Sequence, residues 1–177
     1  PRLQRSGWIS LNGAWEFALD PDAEWESPTQ VRWSRKILVP FAPETPASGI
    51  GDTGFYRACW YRRVHAAPRL AKGERLLLHF GAVDYAATVW INGSRAAQHE
   101  GGYTSFTVDT TGYLQDSEVL EIVVRAEDDP ADLAKPRGKQ DWQLLPHSIW
   151  YPRTTGIWQT VWLERVPEHW IDEIRFT

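Results

Sequence analysis

Alternation of apolar and polar residues with a period of two runs through most of this sequence and constrains its fold more than any other feature. Trp15 and Phe17 flank the polar Glu16, and Leu76 and Leu78 alternate in the same way. Successive side chains of a β-strand point to opposite faces of a sheet, so this pattern predicts strands with one buried face. The predicted strands lie at 15–17, 37–39, 57–64, 76–80, 89–91, 119–125 and 157–164. No stretch shows a convincing 3.6-residue period, and we therefore predict an all-β fold.

The connections between these strands indicate a sandwich. Asn92-Gly93 is the sharpest turn signal, because a type I′ hairpin turn needs positive φ at both central positions. We expect a β-hairpin there. Several strands joined by irregular Gly- and Pro-bearing segments predict two packed sheets, and a jelly roll is one member of that class. Periodicity alone does not choose between the possible topologies.

Two long segments, 40–54 and 128–155, do not fit a strand pattern and are rich in Pro, Gly and polar residues. Loops longer than about 15 residues are uncommon unless they are functional or disordered, so we expect a site in these segments. The second segment carries three aromatic residues and four basic ones, which a mobile linker has little use for. They are Trp142, Trp150, Tyr151, Lys135, Arg137, Lys139 and Arg153.

Composition limits the classes of partner. With 177 residues, 42% of them hydrophobic, the chain is long enough for one domain with a substantial core. A net charge of −4 disfavours nucleic acid and anionic membranes, which are bound chiefly by excess Lys and Arg, and no run approaches the length of a membrane helix. We expect a soluble protein with a neutral ligand or a protein partner, and its compartment, cytoplasmic or secreted, stays open.

The short motifs of the chain do not indicate chemistry. The stretch 49–54 matches G-x-G-x-x-G but precedes a predicted strand, whereas a dinucleotide fingerprint follows a strand and opens a helix. Cys59 is the only cysteine, so neither an intrachain disulfide nor a Cys-based zinc cluster is possible, and we expect a buried structural thiol. His99 and Glu100 are adjacent, and adjacent residues of a strand point to opposite faces, so a structural hydrogen bond is the expected role of His99. We therefore predict no catalytic residue, no metal site and no cofactor.

The chain contains eleven tryptophans, an unusual number for its length. Five of them follow strand patterns and are expected in the core or at an interface: Trp15, Trp60, Trp90, Trp158 and Trp162. Trp142 and Trp150 lie in the long polar loop instead. Flat apolar faces of sugar rings pack on aromatic rings, so the sequence leaves a ligand contact and an interdomain contact equally open for this pair.

Six segments in order resemble the amino-terminal sugar-binding domain of family 2 glycoside hydrolases, the β-galactosidases and β-glucuronidases. They are LNGAWEF (11–17), WYRR (60–63), LHFGAVDY (78–85), VWING (89–93), HEGGYTSF (99–106) and GIWQTVWL (156–163). The resemblance implies a galactose-binding-domain-like jelly-roll β-sandwich over 1–167. It also implies an immunoglobulin-like domain and a (β/α)₈ barrel farther along the parent enzyme, with both catalytic glutamates on the barrel. Residues 168–177 would be a linker or the first strand of that immunoglobulin-like domain.

The resemblance also indicates where this domain would reach a sugar. Members of the family supply an asparagine just before the W-Y strand and a carboxylate shortly before the Gly-Ile pair, and this chain has Ala58 and Trp150 at those places. We expect the segments 138–142 and 149–153 to form the rim with different groups, Asp141 accepting hydrogen bonds from sugar hydroxyls and the aromatics stacking. The predicted substrate-binding residues are Asp141, Trp142, Trp150, Tyr151 and Arg153.

Three functions follow from this interpretation. The favoured one is a non-catalytic module that supports a retaining β-glycosidase, shapes its substrate entrance and packs on the immunoglobulin-like and barrel domains of the same chain. The others are a free-standing carbohydrate-binding module and a purely structural interdomain packing module. Carbohydrate, reached through the parent enzyme, is the expected ligand, and neither nucleic acid nor a membrane is an expected partner.

Overall fold

The computed structural model describes residues 5–114, 117–172 and 174, and β-strands dominate it. The strands are β1 (Trp8–Ser10), β2 (Gly13–Asp20), β3 (Arg35–Val39), β4 (Ala58–Ala66), β5 (Arg75–Phe80), β6 (Val83–Asp84), β7 (Ala86–Ile91), β8 (Ser94–Glu100), β9 (Phe106–Asp109), β10 (Val119–Glu127), β11 (Gly156–Ile157) and β12 (Val161–Val166). Short 3-10 helices cover Pro28–Gln30, Pro46–Ser48 and Thr111–Tyr113. None of the helices in these ranges is long or apolar enough to cross a membrane.

Two antiparallel sheets form the body of the domain. The larger has the order β3-β2-β4-β10-β7-β8 and the smaller the order β1-β12-β5-β9, while β11 and β6 form a separate two-stranded pair. The inner faces of both sheets bury one shared core, whose largest side chains are Trp15, Phe17, Tyr61, Phe80, Leu78 and Ile122. Each such side chain contributes about 1.5–3 kcal/mol when it leaves water, so the core dominates the stability. The predicted all-β sandwich is confirmed.

A second apolar cluster covers part of the outer face of the larger sheet. Trp60 stacks on Trp90 with ring centroids 5.2 Å apart, and Trp25 and Trp33 of the β2–β3 connection pack against this pair. The Trp60 indole N–H donates to Asp20 Oδ2 over 3.2 Å, which satisfies its polar atom in a buried setting. The outward-facing tryptophans of these strands are therefore buried by a loop.

The hairpin expected at Asn92-Gly93 is confirmed, since this dipeptide connects β7 to β8 with φ values of 47° and 79°. The carboxamide of Asn92 donates to the carbonyls of Tyr113 and Val119 and accepts from the Glu121 N–H over 2.8 Å. The turn is thereby attached to the neighbouring strand β10.

The prediction of one continuous strand over 157–164 was wrong, because two separate strands cover this range. The chain pairs with β6 at Gly156–Ile157 and then with β5 from Val161 onward, so β11 and β12 belong to different sheets. The Asn12 side chain accepts from the Val161 N–H over 3.1 Å where the second strand begins. Alternation continues through such a change of partner, which is why the sequence pattern does not reveal it.

The segment after Pro167 packs on the outer face of the smaller sheet. The Arg5 guanidinium donates to the Ile171 carbonyl over 2.5 Å, and the Arg75 guanidinium lies 5.6 Å from the Trp170 ring centroid. The predicted boundary at 167 stays a prediction. Glu173 and residues 175–177, which belong to the predicted linker or strand 168–177, lie outside the described residues, as do residues 1–4.

Candidate functional site

Both long loops predicted from the sequence meet at the end of the sandwich that carries β6 and β11. Two segments of the loop 128–155 come together where Gln140 and Tyr151 form an isolated β-bridge. The Tyr151 N–H donates to the Lys139 carbonyl and the Asp141 N–H donates to the Tyr151 carbonyl, each over 2.8 Å. This pairing closes a projecting turn over residues 141–150.

Asp141 holds this turn together from within. Its side chain is buried, with a residue exposure of 2%. Oδ1 accepts from the Gln143 N–H over 3.0 Å, and Oδ2 accepts from the His147 N–H and contacts His147 Nδ1, each over 2.7 Å. Burial alone would raise the pKa of this carboxyl, but the hydrogen bonds from Gln143 and His147 outweigh it and hold the pKa below its ordinary value. These bonds give Asp141 a role in shaping the turn, and its predicted contact with sugar hydroxyls stays a prediction.

Three aromatic side chains lie on the turn or directly after it, and we call Trp142, Trp150 and Tyr151 the aromatic rim. The Trp142 and Trp150 rings meet edge to face, with centroids 5.1 Å apart and an interplanar angle of 68°. The His147 ring packs edge-on against Trp142 at 5.4 Å. Trp142 is 46% exposed and Tyr151 is 61% exposed, while Trp150 is partly buried. The rim thus presents ring surface to solvent on a base that Asp141 and His147 organise.

Arg153 lies beneath the rim, with its side chain 9% exposed. Its guanidinium donates to Asp128 Oδ2 over 3.2 Å and to the Tyr56 carbonyl over 2.8 Å, and lies 4.8 Å from the Tyr56 ring centroid. Lys135 also binds the Asp128 carboxylate. The buried Asp128 carboxylate, at the end of β10, therefore binds both Lys135 and Arg153, and these contacts support the loop. A direct contact of Arg153 with substrate stays a prediction.

Asp84 and Gln140 fix the start of the turn. Gln140 Nε2 donates to Asp84 Oδ2 over 2.8 Å, and Gln140 Oε1 accepts from the Thr154 N–H over 3.1 Å. Burial raises the pKa of Asp84 to about 6, the nearby Asp128 charge adds to this rise, and the Gln140 hydrogen bond opposes it. Sequence reasoning did not single out Asp84. The available signal was a lone carboxylate between the apolar pairs 82–83 and 86–87.

Several residues that the sequence left without a chemical role are buried or engaged in local contacts. Ala58, at the first position of β4, is fully buried. Cys59 is also fully buried, burial raises the pKa of its thiol, and its Sγ lies 3.7 Å from the Tyr61 hydroxyl, so the expected structural thiol is confirmed. His99 Nε2 lies 3.0 Å from Thr104 Oγ1. In the part of the chain that the structure describes, no three His, Cys, Asp or Glu side chains come together as a metal site.

Known proteins share both the sequence and the fold. The family model described as the glycosyl hydrolase 2 galactose-binding domain-like domain matches residues 54–158, more than half of the chain. The chain belongs to this family. The matched range of this family 2 domain runs from just before β4 to Trp158 and includes the whole loop 128–155. The aromatic rim is therefore carried within the family's own fold.

Two curated relatives illustrate the relationship. This family 2 domain is 27% identical to a β-galactosidase of Thermoanaerobacter pseudethanolicus, over 94% of this chain and 20% of that protein. It is 32% identical to a β-glucuronidase of Paenibacillus borealis, over 57% of this chain and 18% of that protein. Among solved structures, a β-glucuronidase of Faecalibacterium prausnitzii superposes with a TM-score of 0.68 and 25% identity, covering 94% of this chain and 33% of that one. The chain spans about a fifth of the length of the curated relatives it matches.

Proposed function

We propose that this domain is the non-catalytic, amino-terminal sugar-binding and scaffolding part of a retaining β-glycosidase acting on β-glucuronides or β-galactosides. The observation that carries the proposal is an exposed aromatic rim on a buried polar base, in a chain that belongs to a galactose-binding-like family of glycoside hydrolases. The relatives described above, a β-galactosidase and a β-glucuronidase, support these substrate classes.

The rim provides a physical means of binding a sugar. Apolar faces of a pyranose ring pack on aromatic rings, and such contacts gain from being held in place before the ligand arrives. Asp141 fixes the turn through three hydrogen-bond contacts, and the Trp142–Trp150 contact fixes the relative angle of two rings. The domain would therefore orient a glycan at the mouth of an active site with little ordering cost.

The nearby carboxylates are engaged in contacts within the domain. Hydrolysis uses two carboxyl groups that flank the scissile bond, about 5 Å apart for retention. Asp84, Asp128 and Asp141 are buried and bound to side chains of the loop 128–155, which are Gln140, Lys135, Arg153 and His147. We propose that the reacting groups are the barrel glutamates of the parent enzyme, whereas this domain contributes to substrate binding.

The test uses p-nitrophenyl β-D-glucuronide and p-nitrophenyl β-D-galactoside. The 177-residue domain should release no nitrophenol from either, and the enzyme that contains it should show a higher KM when Trp150 is replaced by Ala. Leu38→Ala is the control. The exposed fraction of Leu38 is 44%, similar to the 46% of Trp142, but Leu38 lies on strand β3 and not on the aromatic rim. Unchanged kinetics in Trp150→Ala and Trp142→Ala would remove the sugar-binding role. Tight saccharide binding by the isolated domain would instead favour a free-standing binding module.

A second candidate, a structural packing module, is favoured by apolar side chains on the same turn. Leu144, Leu145 and Ile149 are exposed, and Leu145 is 78% exposed. Clustered exposed apolar groups of this kind commonly mark a protein interface. This candidate predicts that Leu145→Ser weakens association with the barrel while Trp150→Ala leaves KM unchanged. The pair of variants therefore separates the two functions.

A further inference from the structure

The carboxyl end of the aromatic loop is attached to the rest of the domain by a buried polar network. The Thr155 N–H donates to Glu44 Oε2 over 3.2 Å, and the Tyr56 hydroxyl donates to Glu44 Oε1 over 2.6 Å. Thr155 Oγ1 lies 3.4 Å from Asp128 Oδ2, which Arg153 also binds. Four residues after Tyr151 of the rim, the chain is therefore fixed through a residue 111 positions earlier in the sequence.

Glu44 comes from the other long loop, 40–54, and is buried there. Each carboxylate oxygen of Glu44 accepts one hydrogen bond. Oε1 accepts from the Tyr56 hydroxyl, just before β4, and Oε2 accepts from the Thr155 N–H of the loop 128–155. Burial raises the pKa of this carboxyl, and the bonds from Tyr56 and Thr155 oppose that rise. A buried carboxyl group is costly unless its hydrogen bonds are made, so the site ties the two loops together through defined geometry.

The 40–54 loop is itself rigid at this point. The Thr45 N–H donates to the Ala42 carbonyl over 2.9 Å, and the 3-10 helix Pro46–Ser48 follows immediately. The Ser48 hydroxyl donates to the Thr45 carbonyl over 2.7 Å. Glu44 therefore extends from an ordered turn, which allows it to hold a partner in position.

We propose that Glu44 is a positioning residue for the aromatic rim: it fixes the Thr155 end of the loop as Asp84 fixes the Gln140 end. The ligand-binding part of this inference rests on the proposed function. The two hydrogen bonds of Glu44 predict which substitutions preserve its role. A glutamine can accept from the Thr155 N–H through its carbonyl oxygen and donate to the Tyr56 oxygen through its amide, whereas alanine can do neither.

The experiment compares Glu44→Ala with the conservative Glu44→Gln in the 177-residue domain. Amide hydrogen exchange is followed in peptides covering 139–153, with β10 as the internal reference, and the KM for p-nitrophenyl β-D-glucuronide is measured in the enzyme that contains the domain. We expect Glu44→Ala to exchange at least about 10-fold faster over 139–153 at unchanged rates in β10, and to raise KM. Glu44→Gln should restore both values to near wild type.

Each other result has a defined meaning. Exchange over 139–153 that is unchanged in Glu44→Ala, or a failure of Glu44→Gln to restore it, overturns the inference, and so does faster exchange with an unaltered KM where Trp150→Ala raises KM. If Trp150→Ala leaves KM unchanged, the proposed function fails, while the exchange measurement alone still decides whether Glu44 orders the rim. Should Glu44→Ala not fold, Tyr56→Phe removes one of the two bonds to Glu44 and should give a smaller increase in exchange.

Discussion

Asp84 combines burial with a single neutral hydrogen-bond donor, and this explains its titration. The carboxyl lies among the inner residues of the site end, and Gln140 stabilises its charged form only partly. Its pKa in the folded domain, about 6, lies above the ordinary value of 3.8. The folded state therefore keeps the proton to a higher pH than the unfolded state does. The contribution of this group to stability is largest at acidic pH and is lost as the pH rises from about 4 to about 6.

Asp84→Asn should remove this pH dependence. Asparagine can still accept from Gln140 and carries no charge to bury, so the variant should be more stable than wild type at pH 7.5 by about 1–3 kcal/mol. The advantage should decline toward zero near pH 4. Urea unfolding at several pH values measures both quantities, and a difference that does not vary with pH would contradict the assignment.

Gly156 is the residue at which a side chain is least tolerated. It has φ of 77°, and an added Cβ would lie 2.1 Å from the Tyr61 hydroxyl and 3.1 Å from Cys59 Sγ. Gly156→Ala therefore combines backbone strain with overpacking, and we expect a loss of about 2–4 kcal/mol in the free energy of unfolding. Gly112→Ala is the matched control, because no atom lies within 4 Å of its added Cβ. Equal stabilities of the two variants would show that Tyr61 moves aside.

At the level of elements, the aromatic turn is separable from the sheets that carry it. No residue of 141–150 belongs to the shared core, and the anchors of the loop are Gln140, Arg153 and Thr155 outside that range. The turn therefore adds surface chemistry to a body that does not need it for stability.

Replacement of the exposed side chains Trp142, Leu144, Leu145 and Ile149 by serine tests this separation. Gln140 and Tyr151 pair in parallel, so the length of the connection between them is kept. We expect the free energy of unfolding to fall by less than about 1 kcal/mol, whereas the enzyme that contains the domain should show a higher KM for p-nitrophenyl β-D-glucuronide. Denaturant unfolding and steady-state kinetics measure the two effects. A large loss of stability would mean that the turn is part of the folding unit.

The alternation of apolar and polar residues predicted the strands that have one buried face. A strand with one buried face needs an apolar residue at every second position, and this gives the sequence its period of two. The strands around Trp15, Leu78 and Val89 were found from such patterns. The short strands β1, β6 and β9 were missed, since two to four residues are too few to establish a period.

For the candidate site, the sequence indicated the loop 128–155 and its aromatic residues but not the hydrogen-bond network that holds the loop in place. Glu44, Tyr56 and Thr155 are separated by up to 111 positions, and only the folded chain brings them together. Asp141 was predicted to accept hydrogen bonds from a sugar, and the sequence did not reveal its local bonds to Gln143 and His147. Side-chain direction inside an irregular loop depends on such bonds, which carry no periodic signal.

Across the whole molecule, the two sheets share a single apolar core. The core cluster includes Phe17 and Tyr61 of the larger sheet together with Leu78 and Leu163 of the smaller one. Neither sheet can lose its partner without exposing this surface to water, so the two should unfold together.

We therefore expect one unfolding transition for the domain. The far-ultraviolet circular dichroism, which reports on the sheets, and tryptophan fluorescence, which reports on the core and on the Trp60–Trp90 stack, should follow coincident curves in urea. The midpoint should shift equally for both signals in Gly156→Ala. Two separate midpoints would indicate that the sheets fold as independent units.

The hairpin turn at Asn92 has a consequence for the chemical ageing of the protein. An asparagine followed by glycine usually deamidates readily, because the glycine nitrogen can attack the side-chain carbon and close a five-membered imide. Here the carboxamide is held by the carbonyls of Tyr113 and Val119 and by the N–H of Glu121, which prevents the rotation that this attack requires. Mass spectrometry after prolonged storage at neutral pH should find residue 92 still an amide, and rapid conversion should begin only once the fold is lost.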